Sequence, residues 1–264
     1  MQSFVRSVDS LKFPRWFAAG LVLCFAAWGT IAHAQSTPDF EAEKWEDRVS
    51  QLSEAIIASP KNEQLYSARG DAHFFLGQFK EALVDYDKIV ELVPERDSSH
   101  WRRGIALYYT SQFDKATSQF QRYHSFDQVD RENGIWRYLS QLKHSGNKVA
   151  QAELLKYEKD DREPFGDIYR LYSGEITKKE LLDRIANAKV DDDEQSKRLF
   201  YASLYIGLHE DAQGRPGQAK PYLQQAALSD WGRTAGYGPN FMWHVARLHL
   251  QKLSQRESSQ RSPD

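Results

Sequence analysis

The residues that could do chemistry begin with His209-Glu210-Asp211. A histidine followed by glutamate opens the zinc-protease pattern, which needs a second imidazole one helical turn later on the same face. That place holds Gln213, so the two-ligand face is missing. His244 and His249 fall on different faces of a helix, because a turn takes about 3.6 residues. Gly214-Arg215-Pro216-Gly217-Gln218-Ala219-Lys220 has the composition of a phosphate loop. It joins two helical stretches where such a loop follows a strand, and its glycine spacing is wrong. No Gly-x-Ser-x-Gly elbow occurs. Cys24 is the only cysteine, so the chain beyond it has no thiol nucleophile, disulfide or cysteine-based metal site. Asp191-Asp192-Asp193-Glu194 lacks the ligand spacing of a calcium loop. It reads as a helix start, where carboxylates meet the positive end of the dipole. The expectation is no catalytic residue, no cofactor and no metal site.

The elements that would position any binding residues follow from a repeat. Ala82, Ala116 and Ala150 are spaced by 34, as are Gly70 and Gly104, Phe79 and Phe113, and Tyr86 and Phe120. That interval is the length of a helix-turn-helix repeat. Glycine inside a helix costs about 1 kcal/mol, which a close approach of the second helix offsets. The small alanines serve the same contact, and the aromatic one turn later fills the space between hairpins. Pro94 can stop the second helix of the first full unit.

This register predicts an all-α fold, a solenoid of antiparallel helical hairpins. Residues 1–34 form an export signal. Residues 35–62 hold an N-terminal segment and a leading helix from Phe40 to Ser59, ended by Pro60. Repeats occupy 63–96 and 97–130, with a degenerate third at 131–158 that has Tyr138 in place of the glycine. Residues 159–199 form an atypical hairpin, Pro164 to Ala188 and split at Ser173-Gly174, with an acidic connector. Residues 200–254 hold a returning unit, where Gly207, Gly214, Ala219 and Leu223 repeat the offsets of Gly70, Gly77, Ala82 and Tyr86, and a capping helix from Asn240 to Leu253. Residues 255–264 are expected as a disordered polar tail.

The signal reading rests on Arg6, Lys12 and Arg15 ahead of an apolar stretch from Trp16 to Ala32, with Ala32-His33-Ala34 before Gln35. Cleavage is expected after Ala34, giving an exported protein, periplasmic or secreted. The stretch is short for a membrane span and is diluted by Gly20, Gly29, Thr30 and His33. Leu23 before Cys24 disfavours lipid attachment there. The chain is 41% hydrophobic and 27% charged with a formal net charge of -2. Such a near-neutral surface has no electrostatic footprint for nucleic acid.

These repeats resemble the tetratricopeptide-repeat (TPR) superfamily, strongly over 63–130 and again over 200–230. A narrower resemblance begins at Arg162-Glu163-Pro164-Phe165-Gly166 and continues through Tyr172-Ser173-Gly174-Glu175-Ile176, Leu181-Leu182-Asp183-Arg184 and Phe200-Tyr201-Ala202-Ser203-Leu204-Tyr205-Ile206-Gly207. It is similar to the NlpI-like TPR proteins of bacterial envelopes. That resemblance implies an adaptor that holds partner proteins, among them cell-wall hydrolases or a periplasmic protease. The family's usual outer-membrane lipid anchor is put in doubt by Leu23.

TPR stacks line a concave groove with their first helices, and the resemblance places Asp71, Phe75, Trp101, Arg102, Ile105, Tyr108 and Tyr109 there. An aromatic groove suits an apolar peptide or a partner helix. The same aromatics could instead pack within the stack. The clamp by which some TPR domains hold a C-terminal carboxylate is absent, because its positions hold Ser67, Asp71, Glu132 and Trp136. The function expected is therefore an exported scaffold or adaptor that binds protein or peptide partners without catalysis of its own. The alternatives are a homo-oligomer formed through the irregular middle hairpins, and an enzyme that a buried titratable cluster in a cleft would reveal.

Overall fold

Three glycines show why the chain pairs its helices as it does. A Cβ at Gly70 would lie 2.6 Å from the Tyr86 ring, one at Gly104 2.5 Å from Phe120, and one at Gly207 2.6 Å from Leu223. In each case a side chain of the second helix occupies the volume that a Cβ on the first would need. The alanines Ala82, Ala116 and Ala219 are fully buried at the matching places. The spacing seen in the sequence is thus a repeated steric contact between paired helices.

A computed structural model of the chain describes residues 42–261. The expected signal, its cleavage site, Cys24 and the start of the leading helix at Phe40 lie outside them. Among the described residues there is no strand. The helices are α1 (Ala42–Ala58), α2 (Glu63–Phe75), α3 (Phe79–Leu92), α4 (Trp101–Tyr109), α5 (Phe113–Phe126), α6 (Arg131–Ser145) and α7 (Asn147–Ala152). They continue as α8 (Phe165–Ser173), α9 (Lys178–Ala186), α10 (Asp192–Ala212), α11 (Pro216–Ala227), α12 (Asp230–Thr234) and α13 (Tyr237–Arg261). A 3-10 turn, Pro94–Ser99, follows α3, which ends before Pro94 as expected. Helices pack on their neighbours: α2 on α3, α4 on α5, α10 on α11, with α1 against α2 and α5 against α6. None of these helices is long and apolar enough to cross a membrane.

Hairpin tips share one geometry. Gly77, Ser111, Gly174 and Gly214 all have positive φ, between 61° and 85°. The next amide closes back five residues in every case: Gln78 to His73, Gln112 to Leu107, Glu175 to Arg170 and Arg215 to Glu210, each at 2.9 Å. This left-handed cap satisfies carbonyls that the ending helix leaves free. Ser111 tolerates the conformation in place of glycine. Asp191 caps α10 by accepting from the Glu194 amide at 2.8 Å, so the acidic run starts a helix.

The middle departs from the repeat where Tyr138 replaces the glycine. Tyr138 is fully buried, donates to Asn147 Oδ1 at 2.9 Å and lies 4.9 Å from the Tyr172 ring. Its ring stands where the earlier repeats have glycine, and the second helix, α7, is only six residues long. α6 packs against α8 and α10 as well as against α7.

The expected disordered tail needs correction. The last helix runs from Tyr237 to Arg261, well past Leu253. Arg256 pairs with Asp211 at 2.9 Å and Lys220 with Glu257 at 2.6 Å, so α11 and the end of α10 hold the polar extension. Composition alone missed these long-range partners.

Ala116 tests the register. Ala116→Leu overpacks a closed helix contact and should lower stability by roughly 1–3 kcal/mol, measured by urea unfolding. Unchanged stability would refute the steric reading of the repeat.

Candidate ligand-binding site

The inner face of α2 and α4 is not an open groove, because α13 lies against it. Phe241 of α13 packs against Phe74 with ring centroids 4.6 Å apart, and His244 stacks on Phe75 at 3.8 Å. Arg247 donates to the Phe75 carbonyl at 2.6 Å, and Tyr109 Oη meets His249 Nδ1 at 3.0 Å. Phe241, Val245 and Ala246 are fully buried. An amphipathic helix with its own aromatics gains more by covering these rings than by leaving them in water.

This placement corrects most of the expected groove. Asp71, Phe75, Ile105, Tyr108 and Tyr109 are buried. Asp71 accepts from Tyr86 at 2.7 Å, from Arg102 at 2.6 Å and from Tyr237 at 2.5 Å, and so ties α3, α4 and α13 to α2. Arg102 is held there between the rings of Tyr86 and Tyr237. Burial lowers the affinity of its guanidinium for a proton, but Asp71, Tyr86 and Tyr237 together outweigh that and leave the pKa raised. Trp101, half-buried and edge-on to Phe241 at 4.9 Å, is the one residue of the seven that also borders the aromatic pocket described next.

The residues with candidate chemistry are separated. His209 stacks on Tyr172 and contacts Gln213 at 2.6 Å; burial holds its pKa down, to about 4. Glu210 pairs with Lys178 and Arg215. Asp211 meets His249 and Arg256. Burial opposes its ionisation, yet these partners win and hold its pKa down, to about 2. Three adjacent residues thus bond in three directions. Among the described residues no group of three His, Cys, Asp or Glu side chains could hold a metal ion.

What stays open is a pocket of about 400 Å3 beside the covered face. Trp101 enters it from the start of α4, Glu132 and Trp136 from α6, Tyr201 from α10, Trp231 from α12 and Met242 from α13. Asp130, Asn133, Arg162 and Lys197 complete its polar lining. Arg162 binds Glu132 at 2.5 Å, Asp161 at 3.2 Å and Asp130 at 3.3 Å, and its guanidinium lies 4.1 Å from the Phe165 ring centre. Tyr205 donates a short hydrogen bond to the other oxygen of Glu132. Burial raises the Glu132 pKa to about 7; Arg162 opposes this, while Asp130 adds to it. Asp130 is also raised, again by burial first. A wider depression of about 810 Å3, bordered by Leu155, Tyr157, Tyr169 and Arg170, brings fewer aromatic side chains together.

Reading by repeat position missed this pocket because it is assembled from six helices and the loops that carry Asp130 and Arg162. Two signals pointed at it. Glu132 and Trp136 had counted only as positions where a carboxylate clamp fails. Arg162 opens the run Arg162-Glu163-Pro164-Phe165-Gly166 that the sequence reading singled out. No family model matches the chain.

Two stability predictions follow from these contacts. Asp71→Ala leaves Arg102 without its carboxylate and should cost about 3 kcal/mol, seen in denaturant unfolding. An acid whose folded pKa exceeds its unfolded one stabilises the fold at low pH. For Glu132 that contribution is full below about 4.5 and gone above about 7. Glu132→Gln should therefore gain stability relative to the parent as pH rises through that window, by up to about 3 kcal/mol. Paired melts at pH 4 and pH 8 check it, and a pH-independent difference would refute the raised pKa.

Proposed function

We propose that this chain is an exported TPR-type scaffold, similar to the NlpI-like envelope proteins, that binds a segment of a partner protein and performs no catalysis itself. The observation that carries the reading is the aromatic pocket. Trp101, Trp136, Tyr201 and Trp231 converge on one cavity of about 400 Å3. Tryptophan and tyrosine dominate binding hot spots, since they bury large area for little conformational entropy. The repeated glycine-to-ring contacts and the matching hairpin tips support the TPR assignment. The sequence segments beginning at Arg162 support the envelope relatives, and with them partners such as cell-wall hydrolases or proteases.

An enzyme is the second reading, favoured by a carboxyl group with pKa near 7 in a cleft. Both Glu132 oxygens already have partners, Tyr205 and Arg162. The pocket lining includes no serine, threonine or histidine that could act as nucleophile or second base. Structural ion-pair networks shift pKa values in the same way, so binding is the better-supported reading.

Trp231 and Trp101 are both part-exposed and suit the test. Trp231→Ala and Trp101→Ala should each reduce capture of partner proteins from envelope extract by about tenfold or more. Helical content should stay at the parent level. A control at Ile57, exposed and remote from the pocket lining, should capture normally. Parent-level capture by both tryptophan variants would overturn the assignment of this pocket.

A further inference from the structure

A smaller cavity, of about 230 Å3, lies at the start of α4. Ser67 borders it from α2, Arg96 and His100 from the turn before α4, and Arg102 from the first turn of α4 itself. His100 is only 6% exposed and caps the helix: its Nδ1 accepts from the Arg103 amide at 3.3 Å. Burial first, then Arg102, Arg103 and Arg96, hold its pKa down, to about 3, so the ring is neutral at pH 7. A neutral imidazole that accepts at one nitrogen carries its proton on the other. That Nε2–H is buried and has no hydrogen-bond partner among the described residues. A buried donor without an acceptor is costly and selects for a group that supplies one.

We propose that this cavity binds a small oxyanion, a phosphate or carboxylate group, to which His100 Nε2–H donates. The proposal stands apart from the partner-binding reading, whose pocket meets this cavity only at Trp101.

Charge and position select the anion. Among the described residues the charged lining is Arg96 and Arg102 against Glu63. Arg96 takes both Glu63 oxygens, at 2.9 and 3.2 Å. Asp71, the carboxylate that pairs with Arg102 at 2.6 Å, is not part of the lining. The Ser67 hydroxyl accepts from Arg102 at 3.0 Å and so keeps its own proton to donate. The start of α4 adds the positive end of a helix dipole, where amides lack intrahelical acceptors. A cation would meet the three guanidiniums that help keep His100 uncharged, and an apolar group would leave its Nε2–H unmet. The volume is below the roughly 300–1,000 Å3 typical of pockets for drug-sized ligands, as a small ionic group requires.

The test is an NMR titration that follows the His100 imidazole N–H. The probes are inorganic phosphate and capped, glycine-flanked peptides carrying glutamate or glutamine, with ionic strength held constant by sodium chloride. Phosphate or the glutamate peptide should move that signal downfield and saturate it with a Kd of about 10 mM or below. Tighter binding of phosphate assigns the site to a free ion; tighter binding of the glutamate peptide assigns it to a carboxylate on another chain. His100→Asn keeps a side-chain acceptor for the helix cap but removes Nε2–H, and should weaken binding about tenfold. Ser67→Ala, a milder change, should weaken it about threefold. A His100 signal unmoved by both anions up to about 50 mM would overturn the proposal. So would an equal response to the glutamine peptide, or parent-level affinity in both variants.

Discussion

The structure depends on the docking of α13 against the inner face of α2 and α4. Asp71 is where that contact is fixed. One carboxylate on α2 accepts from Tyr86 on α3, Arg102 on α4 and Tyr237 on α13. A charge so far from water is tolerated only with full pairing. The requirement for three donors therefore specifies how four helices meet. The aromatic contacts around it, Phe74 with Phe241 and Phe75 with His244, supply area, and the charge supplies register.

That docking also decides where a ligand can bind. By covering Phe74, Phe75 and Tyr109, α13 removes the face that a stack of hairpins would otherwise present. The start of the same helix brings Gly238, Pro239 and Met242 beside Trp101 and Trp136, and α12 brings Trp231. One element thus closes one surface and forms the wall of another. The pocket inherits rigidity from its surroundings: Trp136 and Tyr201 are nearly fully buried, and Arg162 is held by three carboxylates and the Phe165 ring. A preorganised wall of this kind limits the ordering that binding must impose.

The irregular middle has a structural role consistent with this arrangement. Tyr138 stands where the earlier repeats have a glycine, α7 is only six residues long, and α6 packs on α8 and α10 as well as on α7. The segment between α7 and α8 then carries Asp161 and Arg162 to the start of α6.

The sequence by itself determined the helices, the hairpin tips and the period, because these depend on near neighbours. Gly104 requires Phe120 only sixteen residues away, and Gly77 needs the left-handed turn at its own position. The start of α10 at the acidic run was legible for the same reason. Asp71, Trp101 and Tyr109 were legible as inward-facing residues, while what they face was not. Their partners Tyr237, Phe241 and His249 lie well over a hundred residues along the chain, and no local spacing encodes such a meeting. The polar end of α13 read as tail for the same cause, since Asp211 and Lys220 reach it only in the folded stack. Only the tertiary structure decided that the groove is filled and that the pocket lies beside it. That outcome depends on how α13 buries its own apolar face, a choice made among distant surfaces.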